Sequence, residues 1–109
     1  MNAMSFRDRI ANMTSAFDLK VAENLVATIQ FHATGKEPGN YYLHIENGKC
    51  TFHEGVAKSP TATIHTPSEV WIAVSTGEMD GARAFMQGKF RVEGDLRLLM
   101  KMRGLFKRG

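Results

Sequence analysis

Between Ala27 and His65, apolar and polar side chains alternate with a period of two, in four successive runs. Such a chain suits strands that show one face to a core and the other to water. In the first run Ala27, Ile29 and Phe31 face inward, and Thr28, Gln30 and His32 face outward. The turn 35–40 (GKEPGN) leads to the second, with Tyr41, Leu43 and Ile45 inward and Tyr42, His44 and Glu46 outward. Asn47-Gly48 is a strong hairpin signal, because both residues tolerate positive φ. Cys50 and Phe52 then point inward, Thr51 and His53 outward, and Gly55 to Pro60 closes the run. The fourth places Ala62 and Ile64 inward, Thr63 and His65 outward. The expectation is an antiparallel meander with one dry face.

Helical spacing brackets these strands. Phe6, Ile10, Met13 and Phe17 draw one apolar stripe, and Ser5 with Asp8 resembles a capping box. Asp18 caps a further short turn. After the fourth strand, Thr66-Pro67-Ser68-Glu69 predicts a helix over 67–76 with Thr66 as N-cap, Pro67 in the first position and Glu69 reaching back. Asp80 caps a helix over 80–87 with Ala82, Phe85 and Met86 on one side, and Gly88 stops it. Phe90 and Val92 point inward from a fifth strand, and Asp95 caps a last helix over 95–106. Leu96, Leu98, Leu99, Met100, Met102, Leu105 and Phe106 cover more than one stripe of that helix. A helix apolar on two sides needs two apolar partners. The sheet is one; the other is a helix, a second subunit, a membrane or a ligand. This element order predicts an α+β fold, not a parallel βαβ one.

A chain of 109 residues has room for one domain, 1–109, with residues 1–4 read as a tag or disordered start. It buries roughly 65% of its unfolded surface, enough to fold without disulfides or metal. There is no membrane-spanning apolar run, and the charged N-terminus is not a secretory signal. Cys50, the single cysteine, excludes intramolecular disulfides and thiolate clusters, so a cytoplasmic setting is expected. Net charge is +3, and after Asp95 come Arg97, Lys101, Arg103, Lys107 and Arg108 with no acid. Cations there suit a helix C-terminus. They also suit an anionic membrane or head group, met through Lys101, Arg103, Lys107 and Arg108. No groove-reading motif or basic run interleaved with aromatics points to nucleic acid.

Catalytic chemistry finds little support. His32, His44, His53 and His65 all fall on outer strand faces, without the local spacing of a zinc site. Ser59, Ser68 and Ser75 lack a nucleophile-elbow context, and Cys50 points away from the histidines. Glu37, Glu46, Glu54, Asp80, Glu93 and Asp95 sit on turns, caps and outer faces. No glycine-rich phosphate loop is present, so no cofactor is expected. What remains is a surplus of bulky, adaptable apolar side chains late in the chain, which suits a small-molecule site as well as a core.

From Leu25 to Phe106 the chain resembles the sterol carrier protein-2 (SCP-2) domain family. The resemblance rests on 27–31 (ATIQF), 42–48 (YLHIENG), 62–66 (ATIHT) and, most of all, 79–95 (MDGARAFMQGKFRVEGD). It implies a five-stranded antiparallel sheet covered on one face by helices. It also implies a hydrophobic tunnel that takes sterols, fatty acids, acyl-CoA or phospholipids, in a binder, a transfer protein or a lipid-binding domain attached to an enzyme; this chain itself is expected not to be an enzyme. The ending Lys107-Arg108-Gly109 is no peroxisomal address. The expected cavity lies between the sheet and helices 67–76, 80–87 and 95–106. Its expected lining is Phe31, Leu43, Trp71, Val74, Met79, Phe85, Met86, Leu99, Met102 and Phe106. The rival reading is an interaction module whose last helix packs on a partner or forms a homodimer; a metal enzyme using the outer histidines is a third.

Overall fold

The computed structural model describes residues 4–16 and 24–98. The elements are α1 (Phe6–Asn12), continued by a 3-10 turn (Met13–Ala16), β1 (Ala27–Thr34), β2 (Gly39–Glu46), β3 (Lys49–Glu54), β4 (Ala62–Pro67), α2 (Ser68–Thr76), α3 (Gly81–Met86) and β5 (Arg91–Gly94). Residues 96–98 begin a further helical turn. Ser5 caps α1 by accepting the Asp8 N–H at 3.1 Å. Phe17, Asp18 and the helix beyond Leu98 lie outside the described residues.

The five strands form one sheet in the order β3-β2-β1-β4-β5. β1 and β2 pair antiparallel, and β2 turns into β3 at Asn47-Gly48, where both residues have positive φ. β4 departs from the expected meander. It lies beside β1 and runs parallel to it, with Phe31 opposite Ile64 and His32 opposite His65. β5 then pairs antiparallel with β4, with Val92 opposite Ile64. The sheet is therefore mostly antiparallel with one parallel pair. Period-two alternation fixes which face a residue takes; it carries no information on which strand lies alongside.

The link from β3 to β4 must cross β2 and β1, and it does so over the outer face. Gln30, read as solvent-facing, is buried beneath that crossing at 3% exposure. Its Nε2 donates to the carbonyls of Tyr41 (3.1 Å) and Gly55 (3.0 Å), and its Oε1 accepts the Ala57 N–H (2.8 Å). A buried amide with both ends paired satisfies the backbone of the crossing loop.

On the inner face Ala27, Ile29, Phe31 and Ala33 of β1, Leu43 and Ile45 of β2, and Ala62 and Ile64 of β4 form the core with Phe6, Ile10 and Leu98. The turn between β1 and β2 clasps the starts of two helices. Glu37 Oε1 accepts the Phe6 N–H, an orphan donor of the first turn of α1, and the Glu37 N–H donates to Ser68 Oγ, each at 2.9 Å. α2 begins one residue later than expected: its N-cap is Pro67, not Thr66, and no side chain caps it. Thr66 and Pro67 are still paired with Ala33 and Thr34, so the strand register claims the expected cap. The cap of α3 is as expected, with Asp80 Oδ1 accepting the Arg83 N–H at 3.0 Å.

Candidate functional site

The aromatic side chains of the inner face form a continuous run from the centre of the sheet to the surface. Phe31, fully buried on β1, meets Trp71 of α2 edge to face, with 5.4 Å between ring centroids. Trp71 meets Phe90 at 5.8 Å and a right angle, and Phe90 meets Phe85 of α3 at 5.6 Å. These are the separations and tilts that aromatic pairs favour. Phe85, the outer end, is 42% exposed.

Local sequence explains how each ring arrives there. Phe31 is at an inward position of β1, opposite Tyr41 and Ile64. Trp71 lies in the first turns of α2, which starts where β4 ends. Phe90 follows the end of α3, one residue before β5, and so bridges the helix layer and the sheet edge. Val74 is half-buried next to the start of α3; a Cβ on Gly81 would sit 3.2 Å from Val74 Cγ1, so glycine permits the close approach. Met79, also half-buried, is held by its N–H to the Ala73 carbonyl at 3.1 Å.

Phe31, Trp71 and Phe85 thus lie in one run, with Val74 and Met79 on the same helix layer. Leu43 is fully buried on the other side of β1, opposite Ile29 and Phe52. Met86 is 84% exposed and turned to solvent, while Ala84 is the buried residue of α3. This corrects the reading in which Ala82, Phe85 and Met86 share the packed side. Leu99, Met102 and Phe106, with Lys101, Arg103, Lys107 and Arg108, lie outside the described residues. Phe90, the ring that joins Trp71 to Phe85, is the member of this run that the expected lining lacks; its inward position on the fifth strand was the available signal.

The opposite end of the same face carries a groove of about 340 Å³ lined by Leu25, Val26, Ala27, Thr61, Asp95, Arg97 and Leu98. It lies where β1 and β4 begin and β5 ends, since Ile29 pairs with Ala62 and Ala62 with Gly94. Its lining combines Leu25, Val26, Ala27 and Leu98 with Asp95 and Arg97, whose side chains lie 3.8 Å apart. Val26, in that lining, is 64% exposed. The inward side chains Phe31, Ile29 and Ala27 of β1 connect the aromatic run to this groove, over about 13 Å of strand.

The outer face is polar. His44 contacts Thr28 Oγ1 and Glu46 Oε1, each at 2.8 Å. His53 contacts Thr51 Oγ1 at 2.9 Å and stacks on Tyr42, and His32 contacts Asn40 Oδ1 at 2.6 Å. His65 Nε2 lies 2.9 Å from Glu93 Oε1, too poorly aligned for a hydrogen bond. Among the described residues no group of three or more His, Cys, Asp or Glu is placed to hold a metal ion, and no helix is long and apolar enough to cross a membrane. Burial pushes the Cys50 thiol up to about 11.

A model of the SCP-2 sterol transfer family matches residues 11–107. Hydroxysteroid dehydrogenase-like protein 2 of Xenopus tropicalis is 33% identical over 92 residues, which make up 80% of this chain and 22% of that protein. Sterol carrier protein 2 of Homo sapiens is 32% identical over 71 residues, 65% of this chain and 13% of that protein. The chain therefore spans about a fifth or less of the length of these curated relatives. Among solved structures, palmitated SCP2L2 of Aedes aegypti superposes with a TM-score of 0.74 at 22% identity, over 91% of each chain.

Proposed function

Since the chain belongs to the SCP-2 sterol transfer family, we propose that it binds a fatty acid, acyl-CoA, sterol-like molecule or phospholipid and carries out no covalent step on it. The apolar part of the ligand lies between the sheet and the helix layer, along the inner side of β1. The observation that carries this reading is the unbroken apolar run from half-exposed Phe85 through Phe90, Trp71 and Phe31 to Ile29, Ala27 and the groove. Val74, Met79 and Leu43 flank that run, and Leu99, Met102 and Phe106 complete the proposed lining. The palmitate carried by the mosquito protein of the same fold is a ligand of the right shape for it.

Binding of this kind is driven by apolar burial. Each methylene removed from water contributes about 0.8 kcal/mol. One methylene is then worth only about fourfold in affinity, so discrimination by chain length is soft. Among the described side chains, Ser68 Oγ accepts a backbone N–H, Ser75 Oγ donates to a backbone carbonyl, and burial favours the Cys50 thiol over the thiolate.

The test is organic extraction of the purified protein followed by mass spectrometry, then titration with a fluorescent fatty acid. Co-purifying lipid and saturable binding are expected, with Trp71→Ala weaker by about tenfold or more from lost apolar contact. No lipid in the extract and no saturation would overturn the proposal.

A further inference from the structure

We propose that the β3 edge of the sheet pairs with the same edge of a second copy of the chain, joining two sheets into one. β3 is an outer strand, and its ladder with β2 uses alternate residues. The two-residue turn Asn47-Gly48 makes Glu46 and Lys49 the hydrogen-bonded pair that closes the hairpin. The ladder continues at Thr51 and His53, and the Gly55 N–H extends it to the Asn40 carbonyl at 2.8 Å. The backbone N–H and C=O groups of Cys50, Phe52 and Glu54 therefore point away from β2, and no described residue pairs with them. An open edge is a template for a further strand unless it is short, bulged or guarded by charge. β5, the other outer strand, has such guards: it is four residues long, carries Arg91 and Glu93, and ends at Gly94 with φ 91°. β3 runs for six residues without proline, bulge or positive φ. Its inward charge, Glu54, is paired with Arg7 at 3.2 Å, and that guanidinium sits 5.2 Å over the Phe52 ring.

The edge is its own complement, which selects a second copy over an unrelated peptide. Antiparallel pairing about a two-fold axis at Phe52 sets Phe52 opposite its counterpart, Cys50 opposite Glu54 and Thr51 opposite His53. All the outward residues then form hydrogen-bonded pairs, each exchanging two N–H···O bonds, and a slip of two residues in either direction loses one pair. No charge lies directly opposite its like. On the inner face the rings of Phe6, Tyr41 and Phe52, with centroids 5.9 and 5.8 Å apart, end at this edge and would run on into the second copy through the paired phenylalanines. On the outer face the Thr51–His53 pair repeats the cross-strand contact that Thr28 and His44 make between β1 and β2. One strand of six residues buries less than the roughly 800 Å² per partner of a stable interface, so the dimer is reversible and depends on concentration. The joint lies at the opposite edge of the sheet from β5 and does not depend on the lipid-binding reading.

Sedimentation velocity from about 5 µM to about 0.5 mM tests it, with the mass expected to rise from 12.2 kDa toward twice that value. Amide hydrogen exchange on the wild-type protein reads the edge itself. At the higher concentration exchange should slow about fivefold or more at Cys50, Phe52 and Glu54, and by less at Thr51 and His53, whose N–H groups already bond to β2. Glu54→Pro removes an outward N–H that Glu54→Ala keeps, so the proline variant should dimerise about tenfold more weakly than the alanine variant. Far-ultraviolet circular dichroism checks the fold of both. A monomer throughout the range, or exchange at the outward amides that is independent of concentration, would overturn the proposal. So would a dimer that Glu54→Pro leaves as tight as Glu54→Ala does, since the contact would then lie on another face.

Discussion

Phe31 joins two functions in one side chain: it is fully buried in the core and it begins the aromatic run. Phe31→Ala is expected to cost about 3–5 kcal/mol, read by urea unfolding, because truncation leaves a cavity under Trp71. Cys50 offers a pH test. Burial favours the neutral thiol and raises its pKa in the folded protein to about 11 from an ordinary 9.0. The resulting stabilisation is complete below about pH 9 and is lost as pH rises through 11. Cys50→Ala should flatten that alkaline loss, and iodoacetamide should label folded wild-type protein slowly at neutral pH, where thiolate is scarce. At this scale alternation was a good guide for Phe31 and Leu43, whose facing follows from period two alone. It failed at Gln30, because burial there depends on a loop arriving from β3, which no local pattern announces.

Elements are held by a few specific locks. Gln30→Ala would leave the Gly55 carbonyl and the Ala57 N–H without their partners under the crossing loop, at a cost of about 1–3 kcal/mol in thermal or urea unfolding. Gly94 ends β5 with φ at 91°, and a Cβ there would lie 2.4 Å from the Thr61 carbonyl oxygen. Gly94→Ala should therefore destabilise by about 1–3 kcal/mol and loosen the wall shared by β4, β5 and the groove, seen as faster hydrogen exchange at Thr63 to His65. Helix starts with a local cap, Ser5 and Asp80, were readable as sequence. Thr66 was not, since its role was set by pairing with Ala33 on a strand 33 residues earlier in the chain. The parallel β1–β4 pair was invisible for the same reason: neighbouring strands are chosen by long-range packing, and both arrangements have the same period.

Across the whole molecule, one sheet divides its labour between faces. The outer face spends histidine, threonine and tyrosine on cross-strand contacts; the inner face gathers an aromatic run that reaches the surface at Phe85. Resemblance to the SCP-2 family conveyed the layer arrangement that periodicity could not, while the groove, built from residues flanking β1 and β5, had no sequence signal of its own. In the proposed complex a hydrocarbon chain lies against Trp71, the single tryptophan of the chain. Titration with stearic acid carrying a nitroxide midway along its chain tests it most directly. Saturable loss of tryptophan emission near one equivalent, reversed by excess palmitate, is the predicted result. Emission that stays constant through several equivalents, in protein shown to be folded, would contradict it.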